Sequence, residues 1–239
     1  MSRKKKIMIA LPALLAAYLL LAACWAWTVF DDALAGLGRQ TQVRLSPRQA
    51  DIVLLVEDPT FFDHGGVSLA AGQGLATISS ALARDVYLGG ADLHGAAGLL
   101  QRFYRAVFAC CRKVDLGRDV MAVVLDARLS KDRQLALYAG LVYMGRHDGR
   151  QVRGLAQAAH VLLGKPLAAI GDDEFIGLAA MIKAPNRFHP VRDPAAYAER
   201  VARVRALVAG TCRPGGWFDT TLESCAGKPP AAPPLLTHS

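Results

Sequence analysis

The chain is predicted to be all-α, with one N-terminal helix apolar enough to cross a membrane. Three observations carry this expectation. Apolar residues recur at helical spacing in one segment after another, and none shows the alternation of a half-buried strand. Residues 7–30 form an uncharged run interrupted only by Pro12 and Thr28. Helix punctuation recurs along the chain, with Ser46-Pro47 opening one segment and Gly89-Gly90 closing another.

The run from Ile7 to Phe30 is long enough to span a bilayer as a helix of roughly 20 residues. Arg3, Lys4, Lys5 and Lys6 precede it, so the positive-inside rule keeps residues 1–6 in the cytoplasm and sends the rest across. A cleaved signal peptide competes with this reading, as does lipoprotein processing at Leu21-Ala22-Ala23-Cys24. The retained anchor is preferred because apolarity continues through Trp25, Trp27 and Phe30. Apolar residues make up 53% of the 239, and the formal net charge of +8 comes from 28 basic and 20 acidic side chains. Four of those basic residues precede the anchor, leaving a mildly basic domain. Its charge suits an anionic membrane surface or a phosphate-bearing substrate, while the lack of a basic run interleaved with aromatics argues against nucleic acid.

Residues 31–45 read as a polar linker. Ser46-Pro47-Arg48-Gln49 is a capping box opening a helix that runs into Glu57. Gly65, Gly66, Gly72 and Gly74 mark a loop, after which Leu75, Ile78, Leu82 and Val86 fall in helical register up to Leu88. A second loop, Gly89 to Gly98, leads to the basic segment Arg102 to Lys113. Val120 to Leu125 is a buried helix that carries Asp126, and Ser130 can cap the next, with Leu135, Tyr138, Leu141 and Val142 on one face. A turn at Gly145 to Gly149 precedes a helix with Leu155, Ala159 and Leu162, closed by Gly164. Asp172 or Asp173 caps the following helix, and Pro194 opens the last, with Tyr197, Val201, Val204 and Val208 in register. The domain so outlined covers residues 46–210. Cys212 and Cys225 bracket a loop, 211–225, that a disulfide could close in an oxidising compartment. Cys110 and Cys111 read as thiols, since no metal-ligand spacing accompanies them. The tail, residues 226–239, carries four prolines in fourteen residues and reads as disordered.

Val56 to Val67 is the densest chemical stretch. It sets Glu57, Asp58, Asp63 and His64 beside Phe61 and Phe62, directly after the apolar run Ile52 to Val56. A glutamate flanked by apolar residues is partly desolvated, which raises its pKa toward the range of a general acid or base. The competing reading is a solvated acidic turn at a helix C-terminus.

Downstream patterns bear on that choice. Glu57-Asp58-Xaa-Xaa-Phe61-Xaa-Xaa-His64-Xaa-Gly66 resembles the first motif of the family-51 glycosyltransferases, the peptidoglycan glycosyltransferases found alone or at the front of bifunctional penicillin-binding proteins. Gly74-Xaa-Xaa-Thr77-Ile78, ending at Tyr87-Leu88, is similar to the second. Asp126 followed by Ser130-Lys131-Asp132 and Tyr138 is similar to the third, Gly154 through Ala158-Ala159 to Gly164-Lys165 to the fourth, and Lys183 to Pro190 to the closing segment. The resemblance covers roughly Ser46 to Val208. The chain departs from the pattern at Ala76, Ser80, Ala81 and Gly140, and Asp126 stands where the family has glutamate.

The resemblance implies a lysozyme-like helical glycosyltransferase domain that polymerises lipid II and releases undecaprenyl pyrophosphate. Glu57 and Asp126 are its catalytic candidates, Glu57 as base on the incoming 4-hydroxyl. Asp58, His64, Thr77, Arg84, Arg112, Lys113 and Lys131 are the substrate-binding candidates, the cations for the departing pyrophosphate. A divalent cation, Mg or Mn, is expected only as one shared with that pyrophosphate. The implied partners are lipid II, the membrane and cell-wall synthesis or division proteins, and the implied place is the bacterial inner membrane with the domain on the periplasmic side. Asp126 also reads as an ion-paired residue at a helix end, Lys131 as a solvated first-turn lysine and His64 as a hydrogen-bonded loop residue. Two other classes compete: a member of the same family that binds lipid-linked sugar without catalysis, and a hydrolase using two carboxylates.

The charge distribution predicts that a reporter fused after Ser239 is active on the extracytoplasmic side; activity confined to the cytoplasm would refute the orientation.

Overall fold

The computed structural model describes residues 3–38, 42–73, 76–110 and 115–228. The chain divides into two compact units, one of Met1–Thr41, Phe62–Ser68 and Leu75–Leu137, the other of Gln42–Phe61, Leu69–Gly74 and Tyr138–Ser239. Among the described residues the structure is helical apart from one short hairpin, in agreement with the all-α expectation.

In the first unit, helix α1 (Arg3–Ala35) packs on α5 (Leu116–Arg128) and touches α4 (Gly95–Cys110). Its C-terminal half buries Ala22, Trp25, Ala26, Val29, Phe30 and Ala33, a stripe at i, i+3, i+4 spacing. The Trp25 Nε1 donates to Ala97 O at 3.1 Å, and its ring lies 5.2 Å from that of Tyr104. Leu11 and Leu14 in the other half are about two-thirds exposed (70% and 68%). Within this helix, Ala10–Ala35 is long and apolar enough to cross a membrane. The helix also runs five residues past the expected end of the anchor at 30. Ala33 is buried, and Asp31 is held by Arg128 at 2.9 Å, so the chain stays helical where a linker was expected from 31.

Helix α3 (Ile78–Ala83) starts later than the register from Leu75 suggests. Thr77 caps it: its Oγ1 accepts from Ser80 N at 2.9 Å, and Ser80 Oγ accepts from Thr77 N at 3.0 Å. Gly74 and Leu75 lie outside the described residues. From Arg84 to Leu88 the helix widens into a π-turn, ended by Gly89 N donating to Arg84 O at 2.8 Å. Helix α5 is longer than the Val120 to Leu125 run, because Asp115 caps it at Arg118 N (3.1 Å). The loop 62–68 lies against α5 so closely that a Cβ at Gly66, whose φ is 101°, would meet Ala122 O at 2.6 Å.

In the second unit, α2 (Pro47–Glu57) begins with the expected Ser46–Gln49 capping box. Its inner face, Ile52, Val53 and Val56, packs toward α8 (Asp172–Met181) and α9 (Pro194–Val208). Phe175 to Met181 of α8 are all buried. Helix α6 (Lys131–Leu141) ends in this unit and leads into β1 (Tyr143–His147) and β2 (Arg150–Arg153), an antiparallel pair followed by α7 (Leu155–Leu163). This hairpin was not expected. At four and five residues its strands are too short for alternation to register, yet Asp148-Gly149 at the expected turn carried the signal. Both adopt positive φ, 47° and 78°.

The buried residues of α9 are Arg200, Val204, Ala206 and Leu207; of the expected Tyr197, Val201, Val204 and Val208, Val204 is buried and the other three are half-buried. The apolar register placed the only charge of that stripe outside, whereas Arg200 is fully buried. After α9, a disulfide joins Cys212 to Cys225. The loop it closes accepts from Gly72 N at Gly216 O, 2.9 Å, and pairs Glu223 with Arg203 at 2.6 Å. Of the expected disordered tail, residues 229–239 lie outside the described residues.

The contact at Gly66 predicts that Gly66→Ala, which adds a Cβ at positive φ against a backbone carbonyl, lowers unfolding free energy by roughly 3 kcal/mol in chemical denaturation. An unchanged midpoint would mean that the loop does not lie on α5.

Candidate active site

Glu57 is the last residue of α2, at the point where Asp58 leaves helical geometry (φ −157°, ψ 75°). The apolar spacing that buries Ile52, Val53 and Val56 carries Glu57 into the second unit with them. Its Oε1 is buried and has no hydrogen-bond partner, and its Oε2 accepts a long hydrogen bond from the Tyr138 hydroxyl at 3.4 Å. Burial pushes the Glu57 carboxyl up to about 6. The charges of Lys183 and Arg200 and the Tyr138 hydroxyl hold it back, while Asp58 adds to the rise. Burial likewise holds the Lys183 ammonium below its ordinary value, against the pull of Glu57.

Arg200 is 0% exposed, and its Nε, Nη1 and Nη2 have no hydrogen-bond partner. Sequence reasoning missed it and passed over Lys183 as a site residue. Lys183 was legible as the first residue of the closing segment. Arg200 was legible only as a charge at i−4 from Val204, on the stripe it shares with Leu207. Asp58 is 0% exposed, so its carboxylate lies within the protein.

The first unit gathers four of the remaining candidates around the loop 62–68. Asp126, near the end of α5, accepts from Lys131 Nζ at 2.6 Å and from Gln134 Nε2 at 2.9 Å, both through Oδ1. Lys131 Nζ also donates to His64 O at 2.7 Å. His64 Nδ1 accepts from Gly66 N at 3.1 Å, and the Thr77 hydroxyl donates to Gly66 O at 2.6 Å. The ion-paired reading of Asp126 and the loop-bonded reading of His64 therefore describe their geometry. Lys131 is not a solvated lysine: its side chain is 18% exposed. Thr77, 1% exposed, spends its hydroxyl on the cap and the loop. Gln134, which sequence reasoning did not single out, ties this cluster to α3 by accepting from Ser79 Oγ at 2.7 Å. Arg84 stands apart, bonded to Asp85 through Nε at 3.2 Å and Nη2 at 3.1 Å. Arg112 and Lys113 lie outside the described residues. Among the described residues no group of three or more His, Cys, Asp or Glu side chains is placed to hold a metal ion.

A family profile described as Transglycosylase matches residues 39–209. The chain belongs to the transglycosylase family, family 51 of the glycosyltransferases. Relatives agree with this. Penicillin-binding protein 1B of Vibrio cholerae serotype O1 is 32% identical over 162 residues, covering 66% of this chain and 19% of that protein. Penicillin-binding protein 1B of Escherichia coli K12 is 31% identical over 153 residues, 63% of this chain and 17% of that protein. Penicillin-binding protein 1F of Bacillus subtilis 168 is 27% identical over 158 residues, 64% and 21%. The chain thus spans about a fifth of the length of the relatives it matches. The family match stops at 209, short of the disulfide-closed loop.

The raised pKa of Glu57 has a sign that stability measurements read. The folded state holds the Glu57 proton more tightly than the unfolded chain, so its contribution is full below about 4.5 and is lost as pH rises toward about 6. Glu57→Gln, which stays neutral, should match wild type in thermal stability below that window and exceed it above, by on the order of 2 kcal/mol. A difference that does not change with pH would refute the burial.

Proposed function

We propose that the protein is a peptidoglycan glycosyltransferase that polymerises lipid II into glycan strands and releases undecaprenyl pyrophosphate, with Glu57 as general base. The observation that carries this reading is the half-buried carboxyl at the end of α2, its Oε1 sealed from solvent, pushed up to about 6 by desolvation. A base with a pKa just below the working pH is mostly ionised, yet basic enough to take a proton in the transition state. In the reaction, the 4-hydroxyl of the incoming sugar attacks the anomeric carbon of the growing chain as the bond to pyrophosphate breaks, with inversion. The hydroxyl proton passes to Glu57 and the electron pair leaves with the phosphate oxygen. Lys183, whose ammonium interacts with Glu57, is the cation of the second unit suited to the charge that develops on the leaving group. A divalent cation, Mg or Mn, would neutralise phosphate charge. The described residues form no cage for one, so it enters this reading only on the substrate's pyrophosphate.

The same reading sets α1 in the inner membrane as a single span, with the rest on the periplasmic side beside its lipid-linked substrate. Cell-wall synthesis or division proteins are the partners it implies, and nucleic acid is not among them.

A second reading, a non-catalytic relative that holds lipid-linked sugar, draws on a specific observation. Two of the cations expected to meet phosphate are already engaged internally, Lys131 with Asp126 and Arg84 with Asp85.

Polymerisation of lipid II by the full-length protein in detergent separates the two. Wild type should form polymer, and Glu57→Gln should lower the rate by ~10²–10⁴-fold with lipid II binding little changed. Asp126→Glu, which restores the family's longer carboxylate, should leave the rate equal or higher. Polymer formed at an undiminished rate by Glu57→Gln removes Glu57 as the base, and no polymer from wild type favours the non-catalytic reading.

A further inference from the structure

We infer that the cleft between the hairpin 143–153 and α7 is a binding site for a phosphoryl group. None of the residues that line it belongs to the machinery proposed around Glu57, so the inference stands whether or not that reading does.

The cleft, within the second unit, has a volume of about 560 Å³. One wall is the hairpin. Positive φ at Asp148 and Gly149 closes a two-residue turn that pairs His147 with Arg150 across the strands. Residues paired in this way project from the same side of a hairpin, so an imidazole and a guanidinium stand next to each other along the cleft. The other wall is the outer face of α7, where Gln157, His160 and Val161 recur at i, i+3, i+4 spacing while Leu155, Ala158 and Ala159 are buried on the inner face. The hairpin wall is fixed before anything binds. Asn186 Nδ2 donates to the Tyr143 hydroxyl at 3.2 Å, and Gly145, with φ 95°, lies so close to Pro185 that a Cβ would meet its carbonyl oxygen at 2.9 Å. A preformed wall lowers the ordering cost of binding.

Donors outnumber acceptors on these walls. Gln157 Oε1 is taken by Arg153 N at 2.9 Å, so what the side chain has left for the cleft is its amide N–H groups. The Arg150 guanidinium offers only donors, and among the described residues neither it nor the His160 imidazole has a hydrogen-bond or ion-pair partner. Behind His147 the ring of His189 lies nearly parallel, 6.2 Å away at 16°. His189 is 2% exposed, and its Nδ1 accepts from Val191 N at 3.2 Å, which leaves the ring proton to Nε2. That Nε2 is buried without a partner. The one carboxylate of the lining, Asp148, has its side chain 90% exposed at the turn and 3.5 Å from His147 Nε2, so its charge is spent on water and on that imidazole. A ligand that matches this surface brings acceptors and negative charge. The oxygens of a phosphoryl group diverge from a tetrahedral centre and can meet both walls at once, whereas the two oxygens of a carboxylate lie in one plane and address one wall. Arg150 and Gln157, one from each wall, are the pair that decides binding.

The test is an NMR titration of the full-length protein in a non-ionic detergent, with ionic strength held constant by sodium chloride. Inorganic phosphate should shift the His147 and His160 ring resonances and the Arg150 15Nε resonance along one saturable curve. Gln157→Glu should weaken that binding at least about tenfold, because it replaces an amide donor with a negative charge. The new side chain keeps the oxygen that Arg153 N uses, so the start of α7 is preserved. Arg150→Gln, at an exposed position of the hairpin, should weaken binding to a similar extent. Glu57→Gln should bind phosphate as wild type does, which separates this site from the proposed reaction. Two further arms identify the source of the group. Saturation by glycerol 1-phosphate, with resonances unshifted in a phosphatidylglycerol nanodisc, marks a soluble ligand; resonances already at their saturated positions in that nanodisc mark a lipid headgroup. Succinate acting as strongly as phosphate overturns the assignment to a phosphoryl group. Shifts that grow linearly with phosphate, or that persist unchanged in Gln157→Glu and Arg150→Gln, overturn the site itself.

Discussion

A carboxylate largely taken out of water, with the half-buried Lys183 and the fully buried Arg200 acting on its charge, is the constraint on which the second unit depends. Glu57 is brought inside because the inner face of α2 must be covered, and α8 and α9 cover it. Once inside, a lone carboxyl would simply stay protonated. The charges of Lys183 and Arg200 oppose the rise in its pKa in part, and each is itself desolvated by the arrangement. Apolar packing and acid–base character are here two aspects of a single placement, since loosening α9 from α2 would let water in and return all three groups toward their ordinary titration.

The fold was largely legible because helices announce themselves. The Ser46–Gln49 box, the spacing through α2 and the glycine pair after Leu88 were sufficient signals, as was the apolar run of α1. What stayed hidden were places where tertiary contacts override local pattern. The helix through Ala35 is held by Arg128 reaching back to Asp31, and the inner face of α9 turns on a buried charge that no hydrophobic periodicity would place inside. The hairpin 143–153 was hidden by brevity. The site was legible in kind, through the motifs, but only partly in detail. Thr77 and Asp58 sit in recognisable motifs, yet the structure commits one to a cap and buries the other completely.

The cluster around the loop 62–68 shows how few atoms can organise a segment without regular structure. One lysine nitrogen reaches both the Asp126 carboxylate and a loop carbonyl, one threonine hydroxyl reaches a second carbonyl, and a glycine lets the backbone come down on α5. The Asp126 carboxylate, near the end of a buried helix, is met by Lys131 and Gln134, which come to it from the first turn of α6.

The packing of α1 bears on how the protein behaves as a mechanical object. Its C-terminal half is a wall of the first unit, sealed by Trp25 against Tyr104 and by the guanidinium of Arg128 stacked 4.8 Å and 4.6 Å from the rings of Trp27 and Phe30. A flexible tether would let the body swing and spin about its attachment. Here the helix is a mast stepped into the hull: turning it about its own axis turns α5 and everything bonded to α5, and tilting it tilts the unit by the same angle. Whatever holds the exposed apolar half of the helix therefore sets the attitude of the first unit.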